Sequence, residues 1–358
     1  MVIALFGYRG SGKTSLFEIL SGKKKETHSG GHETRLEISR AIFSVPDARL
    51  EKLADLYPDK KKTLVHLEIE DFPGLAAGEV STSHYLAELR KVDGLVQVIR
   101  AFKNPAVAPA RGQINPVSDL EAMAEELILS DLILVSSRLE KLEKELKKMK
   151  DPEAQKEKEL LDKLKPLLEQ GRPIKELNLT SSEEKRLRCF CFLSLKPKLS
   201  ILNLDEDDLA FLDSPEQLYL SWPADQPILA FCGKIERELM DLEEEDRQIF
   251  QSTYGLLEMT PVRFVRKVFE VMGLINFYTI GKEEVRAWVV KKGTPAVKAA
   301  GEIHSDIEKG FIRAEVIPLE EVLKYGSWQK AKEAGSFRLE GKDYPVQDGD
   351  VIYFRFSQ

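Results

Sequence analysis

The hydrophobic pattern changes period several times along the chain, and each change marks an element. Residues 2–6, Val2-Ile3-Ala4-Leu5-Phe6, are continuously apolar and predict a strand, and Ser15-Leu16-Phe17-Glu18-Ile19-Leu20 follows with helical spacing. A polar, glycine-containing stretch from Lys23 to His32 reads as a loop. Residues 64–69 alternate as a strand that ends at Asp71-Phe72-Pro73-Gly74, and Gly94-Leu95-Val96-Gln97-Val98-Ile99-Arg100 predicts another after an intervening helix. Strands alternating with helices predict a doubly wound α/β sheet.

From about Leu120 to Glu169 the composition turns to Glu, Lys and Leu, with Leu139, Leu142 and Leu146 on one helical stripe. This predicts a helical hairpin, broken near Asp151-Pro152, that forms a coiled-coil-like arm. Apolar strand segments resume at Leu199-Ser200-Ile201-Leu202 and Pro227-Ile228-Leu229-Ala230, so the arm is an insertion within the sheet domain. Past Gly273 come short strands at residues 285–290, 311–317 and 351–356, with Asp348-Gly349-Asp350 turning into the last. The expected division is a sheet domain of residues 1–119 and 196–273, a helical insertion of residues 120–195, and a compact C-terminal α+β module of residues 274–358.

Composition narrows the class. Of 358 residues, 42% are hydrophobic and 32% charged, and no apolar run approaches the roughly 20 residues needed to cross a bilayer. Val2–Phe6 is too short for the apolar region of a signal peptide, and Cys189, Cys191 and Cys232 form no disulfide or zinc spacing. A cytoplasmic protein without membrane association is expected. The net charge of −7 excludes a surface that is basic throughout, and no DNA sequence recognition is expected. Lys23-Lys24-Lys25, Lys60-Lys61-Lys62 and Lys291-Lys292 are candidate local RNA patches, though each reads first as solvated surface.

The chemistry concentrates at Gly7-Tyr8-Arg9-Gly10-Ser11-Gly12-Lys13-Thr14, between the first strand and the first helix. Gly7, Gly10 and Gly12 admit backbone angles that aim several N–H groups at one anion, with Arg9, Ser11 and Ser15 in the same turn. Lys13 supplies a point charge for the β and γ phosphates, and the Thr14 hydroxyl can ligate Mg²⁺. The helix N-terminus adds its positive end. Asp71 ends the next strand, where such proteins hold a second carboxylate on the magnesium side, and Gly74 has the spacing of a γ-phosphate sensor. Leu75 stands where many GTPases carry the glutamine that orients the attacking water, which a leucine cannot do. Asn203-Leu204-Asp205-Glu206 follows the strand at residues 199–202, where GTPases carry Asn-Lys-x-Asp. With Leu204 and Glu206 there, guanine selection is not expected, and base contact is assigned to Asn203, Leu204 and Glu206, with Cys232 and Gly233 beside them. An acidic turn capping a following helix is the plainer reading of the same residues.

In this order, glycine loop, Asp-x-x-Gly-Leu, helical insertion, Asn-x-x-Glu and small C-terminal module, the chain resembles the Obg-like ATPases of the YchF type. The stretches Pro46-Asp47-Ala48-Arg49-Leu50-Glu51-Lys52-Leu53, Asn115-Pro116-Val117-Ser118-Asp119 and Glu126-Leu127-Ile128-Leu129-Ser130-Asp131-Leu132 carry the likeness. So do residues 299–317 and Leu339-Glu340-Gly341-Lys342-Asp343-Tyr344, which are similar to that family's β-grasp-like TGS domain. The resemblance implies a translation-factor-class protein that binds ATP rather than GTP, with Mg²⁺, hydrolyses it slowly and associates with ribosomes or RNA. It also implies that Asn203, Leu204 and Glu206 read adenine partly through backbone groups. Three positions depart from the family pattern. Gly10 replaces an asparagine associated with potassium-stimulated hydrolysis, and Pro109 stands at the place of a histidine thought to assist hydrolysis. Arg35, with Thr34 beside it, stands at the place of the switch threonine. His28 and His32 are candidates to substitute for the missing histidine, while His66 and His304 read as structural.

Three functions fit these residues: a nucleotide-dependent switch, a module that holds nucleotide with little turnover, and a small-molecule kinase with the insertion as a lid; GTP binding in place of ATP binding is the alternative for the nucleotide. The switch is the reading that uses Asp71 to Leu75, Asn203 and the C-terminal module together.

Overall fold

The computed structural model describes residues 1–23, 37–76, 83–256 and 258–357. Lys24, Lys25, His28, His32, Thr34 and Arg35, singled out above, lie outside the described residues. The chain packs as two compact units, one of residues 1–41 and 68–260, the other of residues 42–67 and 261–358.

The first unit is built on a six-stranded sheet whose order is Ser39–Ser44, His66–Asp71, Val2–Phe6, Gly94–Arg100, Lys198–Asn203 and Ile228–Phe231. Pairing is parallel from His66–Asp71 through Ile228–Phe231. The first two strands run on into residues assigned to the second unit. Gly94–Arg100 is buried along its whole length, as a mostly apolar strand in a sheet covered on both faces should be, with Gln97 and Arg100 its buried polar residues. Strand order reverses at Val2–Phe6, which has His66–Asp71 on one side and Gly94–Arg100 on the other. Its carboxyl end is therefore the switch point at which α/β sheets bind ligands.

Two helices, Pro116–Lys148 and Pro152–Glu169, form the inserted hairpin. Each starts by the same local device: Asn115 accepts from the Ser118 N–H at 3.1 Å and Asp151 from the Glu153 N–H at 2.9 Å, with proline in the first helical position of each. Leu139 and Leu142 are buried against Leu160, Leu161, Leu164 and Leu168 of the second helix, while Leu146 is half-buried. At the other end of the long helix, Met123 and Leu127 pack with Ala4, Phe6 and Leu95 of the sheet.

The root of the arm is fixed by Asp131, which is fully buried. Its carboxylate accepts from Arg90 Nη1 at 2.7 Å, the Leu193 N–H at 3.0 Å and the Ser194 N–H at 2.8 Å. Arg90 also donates to Ser130 Oγ at 2.7 Å and to the Cys191 carbonyl at 3.1 Å. A buried charge is tolerated only with this kind of full pairing. Nearby, buried Gln97 donates to the Asp119 carbonyl at 3.1 Å, joining a central strand to the first turn of the long helix.

The second unit contains a six-stranded sheet in the order Arg338–Glu340, Phe311–Pro318, Asp350–Phe356, Leu274–Ile280, Glu284–Lys291 and Lys61–Thr63. The strands expected at residues 285–290, 311–317 and 351–356 are all present. Leu274–Ile280 and Glu284–Lys291 form an antiparallel hairpin, and Asp350–Phe356 contacts Leu274–Ile280 in parallel. Residues 42–67 belong to this unit through long-range contacts. Asp47 caps the helix Ala48–Asp55 and accepts from Asn276 Nδ2 at 3.1 Å and Tyr278 Oη at 2.8 Å, while Arg49 pairs with Asp348 at 2.7 Å. Of the three neighbouring lysines, Lys60 donates to the Gly281 and Lys282 carbonyls and Lys62 pairs with Glu51, so two of them are committed within the fold.

Candidate nucleotide site

The glycine loop takes the path its residues predict. Gly7 has φ +141°, and a Cβ there would lie 2.5 Å from the backbone oxygen of Val98. Gly12 has φ +94°, and its Cβ would meet Asn203 Nδ2 at 2.1 Å. Only glycine lets this turn close onto the sheet and the neighbouring strand end. Helix Lys13–Ser21 begins directly behind it. Lys13 is 6% exposed, and its Nζ donates to the carbonyls of Tyr8 at 2.9 Å and Gly7 at 3.2 Å. The amine thus lies folded over the loop it is expected to serve.

Asp71, Gly74 and Leu75 come to the same place. Thr14 Oγ1 donates to Asp71 Oδ2 at 3.1 Å. The segment after Asp71 is stitched to the loop by backbone bonds, Leu75 N–H to the Gly7 carbonyl at 3.2 Å and Arg9 N–H to the Leu75 carbonyl at 2.9 Å. Arg9 Nε adds a bond to the Gly74 carbonyl at 3.0 Å. Gly74 leaves the approach open, since a Cβ there would stand 3.0 Å from Lys13 Nζ. The Leu75 side chain turns the other way, into the core with Tyr8, Phe72, Tyr85 and Leu89. Sequence position suggested a leucine in place of a catalytic side chain; in the fold it anchors the segment. Pro109 lines a water-sized cavity behind the loop, with Tyr8, Ser11 and Gln97.

The residues expected at the base line a cleft of about 770 Å³ that runs from Gly10, Gly12 and Ser15 to Asn203–Glu206 and Cys232–Gly233. That is ample for a nucleoside. Asn203 is buried and its amide is fully engaged, donating to the Ser11 carbonyl at 3.2 Å and accepting from the Gly233 N–H at 2.9 Å. It ties the glycine loop to the start of the helix Gly233–Met240. Leu204 and Cys232 sit in the apolar cluster behind the cleft, and burial pushes the Cys232 thiol pKa up. The exposed carboxylate of Glu206 pairs with Lys234.

Three residues that build the opposite wall escaped the sequence reading. Arg100, buried at the end of its strand, donates to the carbonyls of Phe102 at 3.1 Å, Val107 at 2.8 Å and Asn104 at 3.2 Å, with its guanidinium over the Phe102 ring. Asp205 accepts from the Lys103 N–H at 2.8 Å. Val107 lies over the loop, 2.8 Å from where a Gly10 Cβ would be. Arg100 and Asp205 bond to backbone groups here, so no pairing of residue types announced them. The exposed His66 places Nδ1 against Ser44 Oγ at 3.2 Å, and His304 Nδ1 accepts from the Asp306 N–H at 3.2 Å.

Hard oxygen donors at Thr14 and Asp71, 3.1 Å apart beside the loop, suit Mg²⁺, which is commonly held by one or two protein groups and substrate phosphates. Among the described residues no cluster of three or more His, Cys, Asp or Glu could form an all-protein cage.

The geometry makes a prediction. Gly12→Ala is expected to cost about 1–3 kcal/mol from its backbone conformation alone, and to push Asn203 off Ser11. In urea denaturation, pairing it with Asn203→Ala should then give less than the sum of the two single losses. Strict additivity would count against the clash.

Comparison with known proteins covers the whole chain. The ribosome-binding ATPase YchF of Bacillus subtilis (strain 168) is 36% identical over 365 residues, spanning 100% of this chain and 99% of that protein. The ribosome-binding ATPase YchF of Haemophilus influenzae is 35% identical, over 99% of this chain and 98% of that one. Obg-like ATPase 1 of Oryza sativa subsp. japonica is 33% identical, over 99% and 92%. A family model described as 50S ribosome-binding GTPase matches residues 2–160, and the model for the C-terminal part of YchF GTPases, described as a protein of unknown function, matches residues 274–357. The solved structure of the Schizosaccharomyces pombe YchF GTPase shares the fold, with a TM-score of 0.82 over 99% of this chain and 97% of that one, at 24% identity. The chain belongs to the YchF-type Obg-like ATPase family, and so to the P-loop proteins, which bind a nucleotide and typically use Mg²⁺.

Proposed function

We propose that this chain is a nucleotide-dependent switch that binds ATP rather than GTP, hydrolyses it slowly and associates with the ribosome. The observation that carries the adenine reading is at Glu206. A carboxylate that selects guanine must accept two N–H donors in one plane; this one stands at the cleft already paired with Lys234. The two bacterial relatives above are named as ribosome-binding ATPases, which supports both the ATP assignment and the partner.

In this reading the N–H groups of Gly7, Arg9, Gly10, Ser11 and Gly12 surround the phosphates with Lys13, Thr14 and Ser15, and Gly74 faces the γ-phosphate. Leu204, Glu206, Cys232 and Gly233 flank the base, while Asn203 holds the two halves of the site in register. Thr14 and Asp71 would hold Mg²⁺, which when bound neutralises charge across the β and γ phosphates. The helical insertion, residues 120–195, and the TGS-like module, residues 274–358, would present the nucleotide-dependent surface to ribosomal RNA, in the cytoplasm.

Titration of ATP and GTP against the purified chain tests the first part, and the expected result is the tighter constant for ATP. Equal affinities, or tighter GTP, would refute it. Ribosome pelleting with ATP, with ADP and without nucleotide tests the switch; pelleting indifferent to all three would remove it. The buried Leu75 favours a second reading, a nucleotide-holding module with little turnover. Single-turnover hydrolysis with and without ribosomes and potassium separates the two.

A further inference from the structure

The cavity behind the glycine loop is small, about 10 Å³, but four parts of the first unit meet at it. They are the loop at Ser11, the carboxyl end of the strand Gly94–Arg100, the segment at Pro109, and Asp119 in the first turn of the helix Pro116–Lys148. Two of the side chains that line it are polar, deeply buried and unmet. Ser11 is 2% exposed and Gln97 1%, and neither Ser11 Oγ nor Gln97 Oε1 has a hydrogen-bond partner among the described residues.

The orientation of Gln97 follows from its other amide atom. Nε2 donates to the Asp119 carbonyl at 3.1 Å, and turning the amide over would set two oxygens against each other. Oε1 is therefore an acceptor in need of a donor, while the Ser11 hydroxyl can give or take a bond. Buried polar groups left unmet are costly, and native interiors meet them with protein groups or an ordered water. A polar cavity of roughly one probe sphere, with two or more such groups on its wall, has the size and lining that a buried water requires. Ser200 faces Gln97 across the ladder and its Oγ is likewise unmet, but it does not line the cavity.

We propose that one buried water binds here, donating to Gln97 Oε1 and bonding Ser11 Oγ, and that Gln97 thereby couples the glycine loop to the helical arm. The route runs from Ser11 through the water to the Gln97 amide, and from there to the Asp119 carbonyl at the start of the long helix. Ser11 is already held on another side, where its carbonyl accepts from Asn203 Nδ2 at 3.2 Å. A phosphate drawn onto the Ser11 N–H would turn that residue between its two attachments, and the water and amide would carry the turn to the arm. This coupling rests on the nucleotide reading, since phosphate is what moves Ser11. A water that only filled space would leave the arm indifferent to nucleotide.

Two measurements on the full chain test the two halves. A crystal structure fine enough to show ordered water should place one density peak within hydrogen-bond distance of both Ser11 Oγ and Gln97 Oε1. No peak there, or Gln97 Oε1 bonded directly to Ser200 Oγ, would overturn the water. Hydrogen exchange followed by mass spectrometry, at ATP saturating for each variant, tests the coupling. In the parent, ATP should slow exchange over residues 117–127 about fivefold or more, the lower end of an ordinary coupling between sites. Ser11→Ala keeps the Gln97–Asp119 bond, so exchange without nucleotide should match the parent. The effect of ATP should then fall to within about twofold of none, the loss expected of a residue on the coupling route. Gln97→Met fills similar space without an amide; it should lose the ATP effect too and also raise nucleotide-free exchange. The double variant should behave as Gln97→Met alone, because both changes cut one route. No ATP effect in an ATP-binding parent, or a full effect retained in Ser11→Ala, would overturn the coupling. A parent that binds no ATP would remove the nucleotide reading and the coupling with it, and the density peak would still decide the water.

Discussion

Lys13→Ala is expected to weaken ATP binding about 30- to 5,000-fold, the range for removing one partner of a desolvated, hydrogen-bonded charge pair. The side chain is 6% exposed and its amine already hangs over the loop on the Tyr8 and Gly7 carbonyls. On the proposed function, phosphate binding would need it only to change partners. Without it, the phosphate charge faces backbone dipoles and the helix end alone. The fold should survive, because the Gly7 carbonyl keeps its bond from the Leu75 N–H. Calorimetric titration with ATP·Mg²⁺ measures the loss, and a constant within threefold of the parent would sink the site assignment.

Asp131→Ala should be the most damaging substitution in the first unit, costing about 3–5 kcal/mol in urea denaturation. The change removes the buried carboxylate that the half-buried Arg90 guanidinium and the N–H groups of Leu193 and Ser194 share, leaving Arg90 only Ser130 and the Cys191 carbonyl. Asp131→Asn keeps the shape and one or two of these bonds, so it should fall between the alanine variant and the parent. The nucleotide constant of the folded protein should not move, since none of these groups reaches the cleft. A loss below about 1 kcal/mol for the alanine variant would show that the root of the arm is held by apolar packing instead.

These two positions also show what the sequence could disclose. Lys13 could be singled out because the pattern around it is local: a glycine turn, a lysine and a hydroxyl within eight residues, between a strand and a helix. Asp131 left a fainter trace, a carboxylate on the stripe that runs through Leu127, Ile128 and Val135, but its partners lie 41 and 62 residues away. The packing of residues 42–67 with the C-terminal unit was not legible at all. It depends on Asp47 meeting Asn276 and Tyr278, more than 220 residues distant. Asn203 was singled out for its position, and its amide is occupied by the Ser11 carbonyl and the Gly233 N–H, an orientation that residue type does not set. Leu75 likewise could be placed beside the glycine loop but not aimed.

The Asp131 anchor has a mechanical consequence. The helix Pro116–Lys148 has 33 residues, about 50 Å at 1.5 Å per residue, and its fastened point lies near the middle. Asp131 is then a fulcrum, with Met123, Leu127 and the Gln97–Asp119 bond on the short side and a span of about 26 Å to Lys148 on the other. A tilt of about 10° at the fulcrum would carry the far tip about 4–5 Å, by the geometry of a rod of that length. The strand that bears Gln97 ends at Arg100, which shapes the wall of the cleft. A movement of about 3 Å at Asp119, 12 residues on the other side of the fulcrum, would accompany the shift of about 4–5 Å at the tip, so a displacement of the strand that bears Gln97 would be carried to the end of the arm.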